Sequence, residues 1–304
     1  MNGDTEVPTK AACVGFCLLI FTLLASSAAA LGQSSQPIAP QTVDVPSGTL
    51  HLKAYLWKPA GAGPFPAVLF NHGRSDSAQV QWSSHNLSLP QCAEIIGPVF
   101  AEHGYVLLYL FRRGEGPSAS QGPFIGELLD REAAAHGEEA RNHLQVTLLN
   151  TDHLDDATAG LSFLKSLPGV DSRRIAIVGH SFGAQLTLHM AGRDPSASPA
   201  PIRAAVAFSP AAGSWRRSAE FRDALLATVR NAAVPILLIH TQNDYDTTPG
   251  TTLAAELDRL HKPHLLKIYP AVGQTNSDGH NFLYTDIPLW ESDVFAFLDA
   301  HVKK

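Results

Sequence analysis

Ile175-Ala176-Ile177-Val178-Gly179-His180-Ser181-Phe182-Gly183 is the stretch on which the reading of this chain turns. Four unbroken apolar residues predict a strand covered on both faces. Gly179, Ser181 and Gly183 then make G-x-S-x-G, and Ala184 to Gly192 reads as a helix. Strand, sharp turn and helix in that order hold a serine up at the end of a sheet. The glycines let strand and helix approach closely. The helix N-terminus beneath the serine offers free N–H groups and a partial positive charge. A serine so placed is a candidate nucleophile, and Ser181 is that candidate.

Working outward, the same kind of run recurs. Ala67 to Phe70, Val106 to Tyr109, Ala204 to Phe208, Ile236 to Ile239 and Leu265 to Tyr269 are short and mostly apolar. Helical patterns fit between the runs: 90–102, 151–166, 219–230, 251–261 and 288–301. In the second, Leu154, Ala157, Leu161 and Leu164 return every three or four residues and give one apolar face. Strands and helices alternating this way predict an α/β fold with a mostly parallel central sheet and helices on both faces. Before them, residues 42–45 and 50–57 flank Pro46-Ser47-Gly48-Thr49, which predicts an antiparallel hairpin at one edge. One stretch breaks the rhythm. Residues 114–150 hold no buried strand and read as a lid-like insertion, since so long a connection is usually functional or mobile.

The chain has 304 residues, 45% of them hydrophobic and 16% charged, with a formal net charge of -6. That composition describes a globular domain and offers no basic stripe to nucleic acid. Ala11 to Leu24 is apolar apart from Thr22, and small residues follow to Ala30. Residues 1–32 are expected to be an export signal cut before Gln33, with 33–41 a linker and 42–304 the domain. The expected location is periplasmic or extracellular, without stable membrane association once the signal is removed. The acidic Asp4 and Glu6 keep open the alternative of an uncleaved membrane anchor. Cys13 and Cys17 would leave with the signal, and Cys92 would be left without a disulfide partner.

A serine hydroxyl needs a base to take its proton. For a nucleophile on this kind of turn, the partners follow in the order acid, then histidine. After Ile236 to Ile239 the chain reads His240-Thr241-Gln242-Asn243-Asp244-Tyr245-Asp246. Asp244 is the favoured acid and Asp246 its competitor. The segment between the last strand and the last helix holds a single histidine, His280. Two backbone N–H groups are expected to form an oxyanion hole: that of Phe182, and one from the loop after Phe70-Asn71-His72-Gly73. Arg74 is the expected donor there, with Ser75 the alternative. His72, His180, His136, His143 and His153 are given no chemistry, the last three being read as solvated. No metal or cofactor is called for. Trp82, Trp215 and the apolar island at Phe124 could line a pocket or pack in the core. Asn86-Leu87-Ser88 matches a short glycosylation pattern.

Asn71-His72-Gly73, Phe100 to Tyr105, Arg112-Arg113-Gly114-Glu115-Gly116 and Gly169 to Ile175 leading into the turn resemble the α/β-hydrolase superfamily. Within it they are similar to dienelactone hydrolase-like and prolyl-oligopeptidase-like esterases. The resemblance runs from about Thr42 to Val302. It implies hydrolysis through a covalent acyl-serine, without a cofactor, on a small-molecule ester. This chain departs from the dienelactone hydrolases proper, whose nucleophile is cysteine. It also carries Thr241 where relatives usually carry glycine. A peptidase or amidase would use the same groups; small esters are the expected substrates, since no propeller or other gating domain is expected with this domain. An acyltransferase and a non-catalytic binding protein on the same scaffold are further alternatives.

Overall fold

The computed structural model describes residues 1–4, 39–78, 80–82, 87–193 and 202–304. Residues 5–32 of the expected signal and 33–38 of the linker lie outside the described residues, as do Asn86 and the side chain of Trp82. Ile38–Lys304 forms one compact unit.

The hairpin comes first: β1 (Gln41–Ser47) pairs antiparallel with β2 (Leu50–Trp57). Each apolar run then supplies a strand: β3 (Phe65–Asn71), β6 (Val106–Leu110), β7 (Val170–His180), β8 (Ala204–Phe208), β9 (Ile236–Thr241) and β10 (His264–Tyr269). The sheet has eight strands in the order β1-β2-β6-β3-β7-β8-β9-β10. From β6 to β10 all neighbours are parallel, and β2 joins β6 antiparallel. This is the α/β-hydrolase architecture. Two very short strands, β4 (Val80–Trp82) and β5 (Leu87–Ser88), make a separate ribbon. Nothing in their composition announces it.

Side chains alternate across a strand, so a sheet covered on both faces carries two cores. In β3, Ala67 and Leu69 point into one cluster, and Val68 and Phe70 into the other. The first cluster is closed by α4 (Asp152–Ser166), α5 (Phe182–Ala191), α6 (Ala219–Asn231) and α7 (Thr248–Arg259). The second is closed by α1 (Leu89–Glu102), the short α9 (Phe282–Thr285) and α10 (Ile287–Val302), through Ile96, Phe100, Phe282, Trp290 and Leu298. Cys92 is buried in that second core. Burial pushes its thiol up to about 12, so it is an inert filler.

The stretch at 114–150 is more regular than its sequence suggests. A 3-10 turn over Gly116–Gln121 is followed by α2 (Ile125–His136) and α3 (Glu138–Asn150). Ile125, Leu129 and Leu149 join the first core. Their spacing was hidden by Gly, Glu and His on the outer faces. Trp215 is buried in the same core, and Phe124 packs against it. No described helix is long and apolar enough to cross a membrane.

Six of the described histidines are buried: His240, His280 and four whose pKa values are lowered, His72, His153, His180 and His189. For His153 this corrects the solvated reading; its ring stands edge-on to Phe182, 5.3 Å between centroids. Burial is the main cause that lowers all four pKa values, to about 3 for His180 and about 4 for His189. An unfolded histidine takes its proton near pH 6.5, while these folded ones do not. Stability is therefore complete above about pH 6.5 and is lost as pH falls toward the folded values. Each such group is expected to remove about 1.4 kcal/mol per pH unit within its window. Urea unfolding between pH 7 and 4.5 checks this; a flat profile contradicts it.

Candidate active site

Ser181 sits between β7 and α5 with φ 53° and ψ -115°. A non-glycine residue with positive φ is strained, and such strain persists only where surroundings enforce it. Here Ser181 N–H donates to Phe208 O of β8 at 2.8 Å. The flanking glycines permit the crossing. A Cβ on Gly183 would lie 2.0 Å from Asn71 O, and one on Gly179 would lie 2.3 Å from Gly183 O.

His280 ends a short helix, α8 (Asn276–His280), which Thr275 and Asp278 cap reciprocally. His280 Nε2 lies 2.9 Å from Ser181 Oγ, and its Nδ1 lies 2.7 Å from Asp244 Oδ1. The three side chains thus form one hydrogen-bonded chain, from residues 99 and 36 positions apart. Asp244 also accepts the N–H of Tyr245 at 2.8 Å. Burial alone would raise the Asp244 carboxyl. The charge available to His280 and the hydrogen bonds from His240 and His280 overcome that and hold it well below the usual carboxylate range. Its charged form is favoured by these partners, and a carboxylate at this place can fix the imidazole tautomer.

Asp246, the competitor, faces another way. It accepts from Thr248 N–H at 2.9 Å and from Arg216 Nε at 2.8 Å. It anchors the start of α7 and has no contact with His280.

Several residues around this chain were not assigned from sequence. His240 Nδ1–H donates to Asp244 Oδ2 at 2.7 Å, so the carboxylate is shared by two imidazoles. Its place at the end of β9, four residues before Asp244, was the available signal. His180 Nε2–H donates to the carbonyl of His280 at 2.9 Å and pins its backbone. Thr241 Oγ donates to Gly279 O at 2.9 Å, which explains threonine where glycine was expected. Asn243 Nδ2 donates to Val272 O and Thr275 O, tying down the segment that carries His280.

Phe182 is the first residue of α5, where N–H groups have no intrahelical partner. The loop His72–Ser75 lies beside it and is held by Arg112 and Glu115, both fully buried. Ser181, His280, Phe182 and Arg74 all line one cavity of about 630 Å³. Gln145 of α3 reaches its wall, so the helical insertion does contribute to it. Arg216, Arg217 and Asp246 make other parts of the wall polar.

The model of the dienelactone hydrolase family matches residues 89–286, a span that includes Ser181, Asp244 and His280. The chain belongs to the dienelactone hydrolase family. A dienelactone hydrolase from Anabaena variabilis is similar at 17% identity and TM-score 0.57, over 87% of this chain and 99% of that one. An esterase from Pyrococcus furiosus matches at 17% identity and TM-score 0.59, over 87% and 92%. An acylaminoacyl peptidase from Pyrococcus horikoshii matches at 16% identity and TM-score 0.63. It covers 89% of this chain, but the match spans 43% of the peptidase. At such identities these likenesses speak for the fold.

Proposed function

We propose that this protein hydrolyses a carboxylic ester of a small molecule through an acyl-serine. The observation that carries the reading is the Ser181–His280–Asp244 chain, at 2.9 and 2.7 Å, on the wall of an open cavity. Ser181 Oγ attacks the ester carbonyl while its proton passes to His280 Nε2. Asp244 stabilises the imidazolium that forms. The N–H groups of Phe182 and of the loop at Arg74 receive the developing oxyanion. Collapse expels the alcohol, which takes the proton from His280. Water then attacks the acyl-serine, giving its proton to His280, and the acid leaves as Ser181 is reprotonated.

A cavity of about 630 Å³ suits a small ligand. Arg74, Arg217 and the Arg216–Asp246 pair on its walls favour polar substrates over long acyl chains. Short aryl esters are expected to be turned over at least tenfold faster than the matching aminoacyl amides. The reverse order would make the protein a peptidase, and no release from either would favour the non-catalytic scaffold. Export, with release before Gln33, is part of the same proposal and rests on the apolar run near the N-terminus.

A further inference from the structure

Arg112 and Glu115 form an ion pair, 2.9 Å from Nη2 to Oε2, with neither residue exposed at all. Burying two charges usually gains little stability over an apolar pair of the same size. Stability alone therefore does not account for the pair, and its other contacts show what else it does. Arg112 Nη1 donates to His72 O at 2.6 Å, and Nη2 donates to Gly73 O at 2.9 Å. Glu115 Oε1 accepts from Ser75 Oγ at 2.9 Å and from Ser75 N–H at 3.3 Å. The guanidinium also stands 5.3 Å from the centre of the Phe182 ring.

Three residues of the loop, His72, Gly73 and Ser75, are thus gripped from one side, carbonyls by the arginine and an amide by the glutamate. The carbonyl of Gly73 is held twice, because His72 Nδ1 lies 2.7 Å from it. The tautomer follows from the network: His72 Nε2 accepts Arg112 N–H at 3.4 Å, so the proton sits on Nδ1. Among the described residues the only cis peptide is Gly63–Pro64, so Gly73–Arg74 is trans. In a trans peptide C=O and N–H point in opposite directions. With the Gly73 carbonyl turned toward Arg112, the Arg74 N–H faces away from the ion pair. The Ser75 N–H, by contrast, is engaged by Glu115.

We infer that the Arg112–Glu115 pair is a positioning device that presents the Arg74 N–H, and not that of Ser75, as the second oxyanion donor. The inference rests on the serine-hydrolase reading above. It assigns a role to two fully buried residues, Arg112 and Glu115, that lie 40 positions along the chain from the residues they hold, His72 and Ser75.

The wild-type protein provides the first test. An aryl trifluoromethyl ketone bonds its carbonyl carbon to Ser181 Oγ; the hydroxyl proton goes to His280, and the carbonyl π pair becomes an oxyanion. In ¹⁵N-resolved spectra the Arg74 and Phe182 amide protons are expected to move strongly downfield in the adduct, and that of Ser75 to stay near its free position. A large shift at Ser75 with none at Arg74 overturns the inference. The second test is Arg112→Lys, which keeps a charge but not the planar fork. The expected result is a fall in kcat of about 10²–10³, the loss typical of one oxyanion donor, with KM within about threefold. Ketone affinity should fall in parallel, while the pH midpoint of kcat/KM stays unmoved because His280 and Asp244 are untouched. A folded variant with kcat within about threefold of wild type overturns the inference, as does a loss confined to KM. Glu115→Gln is read by the same measures. A wild type that neither forms the ketone adduct nor turns over esters overturns the serine-hydrolase reading along with it.

Discussion

Replacing Ser181 with alanine is expected to lower turnover of activated aryl esters by about 10⁴-fold or more, and to abolish labelling by a fluorophosphonate. The magnitude reflects loss of the covalent route. His280 and Asp244 have nothing to act on once Oγ is gone, and only binding and the oxyanion donors remain. Intact mass of the labelled wild type should show one adduct, lost in Ser181→Ala, and the same spectrum tests the proposed cleavage before Gln33. Near-wild-type turnover by the alanine variant would refute the assignment of Ser181. The backbone at this position adds a second, independent readout. At φ 53° and ψ -115° any side chain is strained, so Ser181→Gly is expected to unfold at higher temperature than wild type, by about 1 kcal/mol of relieved strain. A protein that gains stability as it loses activity has its strain at the working residue.

Asp244→Asn is expected to cost about 10⁴-fold in kcat at neutral pH. The amide keeps the size of the carboxylate but loses its charge and one acceptor. Its NH₂ cannot accept from both His280 Nδ1 and His240 Nδ1, which the two oxygens of Asp244 now do at 2.7 Å each. The imidazole of His280 is then free to take the tautomer with its proton on Nε2, which cannot act as a base toward Ser181. Asp246→Asn is the contrasting variant. Its partner Arg216 has a side chain that is 79% exposed, and such pairs contribute at most about 1 kcal/mol. A loss of no more than about fivefold is expected there. Equal losses at both positions would show that the carboxylate chain is assigned wrongly.

The inner strands of the parallel sheet announce themselves because they are buried on both faces, which leaves an apolar run that needs no partner to be recognised; the edge strand β10 has an apolar run too, but exposes Leu265 and Ile268. Ser181 is legible for a related reason. An added Cβ would lie 2.0 Å from Asn71 O at Gly183 and 2.3 Å from Gly183 O at Gly179, and the glycines that leave this room are written within five residues of each other. The acid and the histidine are legible only as an order along the chain. The helices α2 and α3 were not legible as such, since their apolar positions are few and separated by polar residues that face outward.

The sequence by itself determined the α/β layering, the sharp turn at Ser181, and the succession of a serine, an acidic pair and a lone histidine, because each strand, the turn and each loop is written in neighbouring residues and their succession is simply chain order. Only the tertiary structure separated Asp244 from Asp246, two residues apart with the same side chain, by giving the first an imidazole and the second an arginine. It alone brought the His72–Ser75 loop against a buried ion pair 40 residues away along the chain. The physical reason is common to both: a hydrogen bond takes its partner from distance and direction in space, and neither is carried by residue type or spacing.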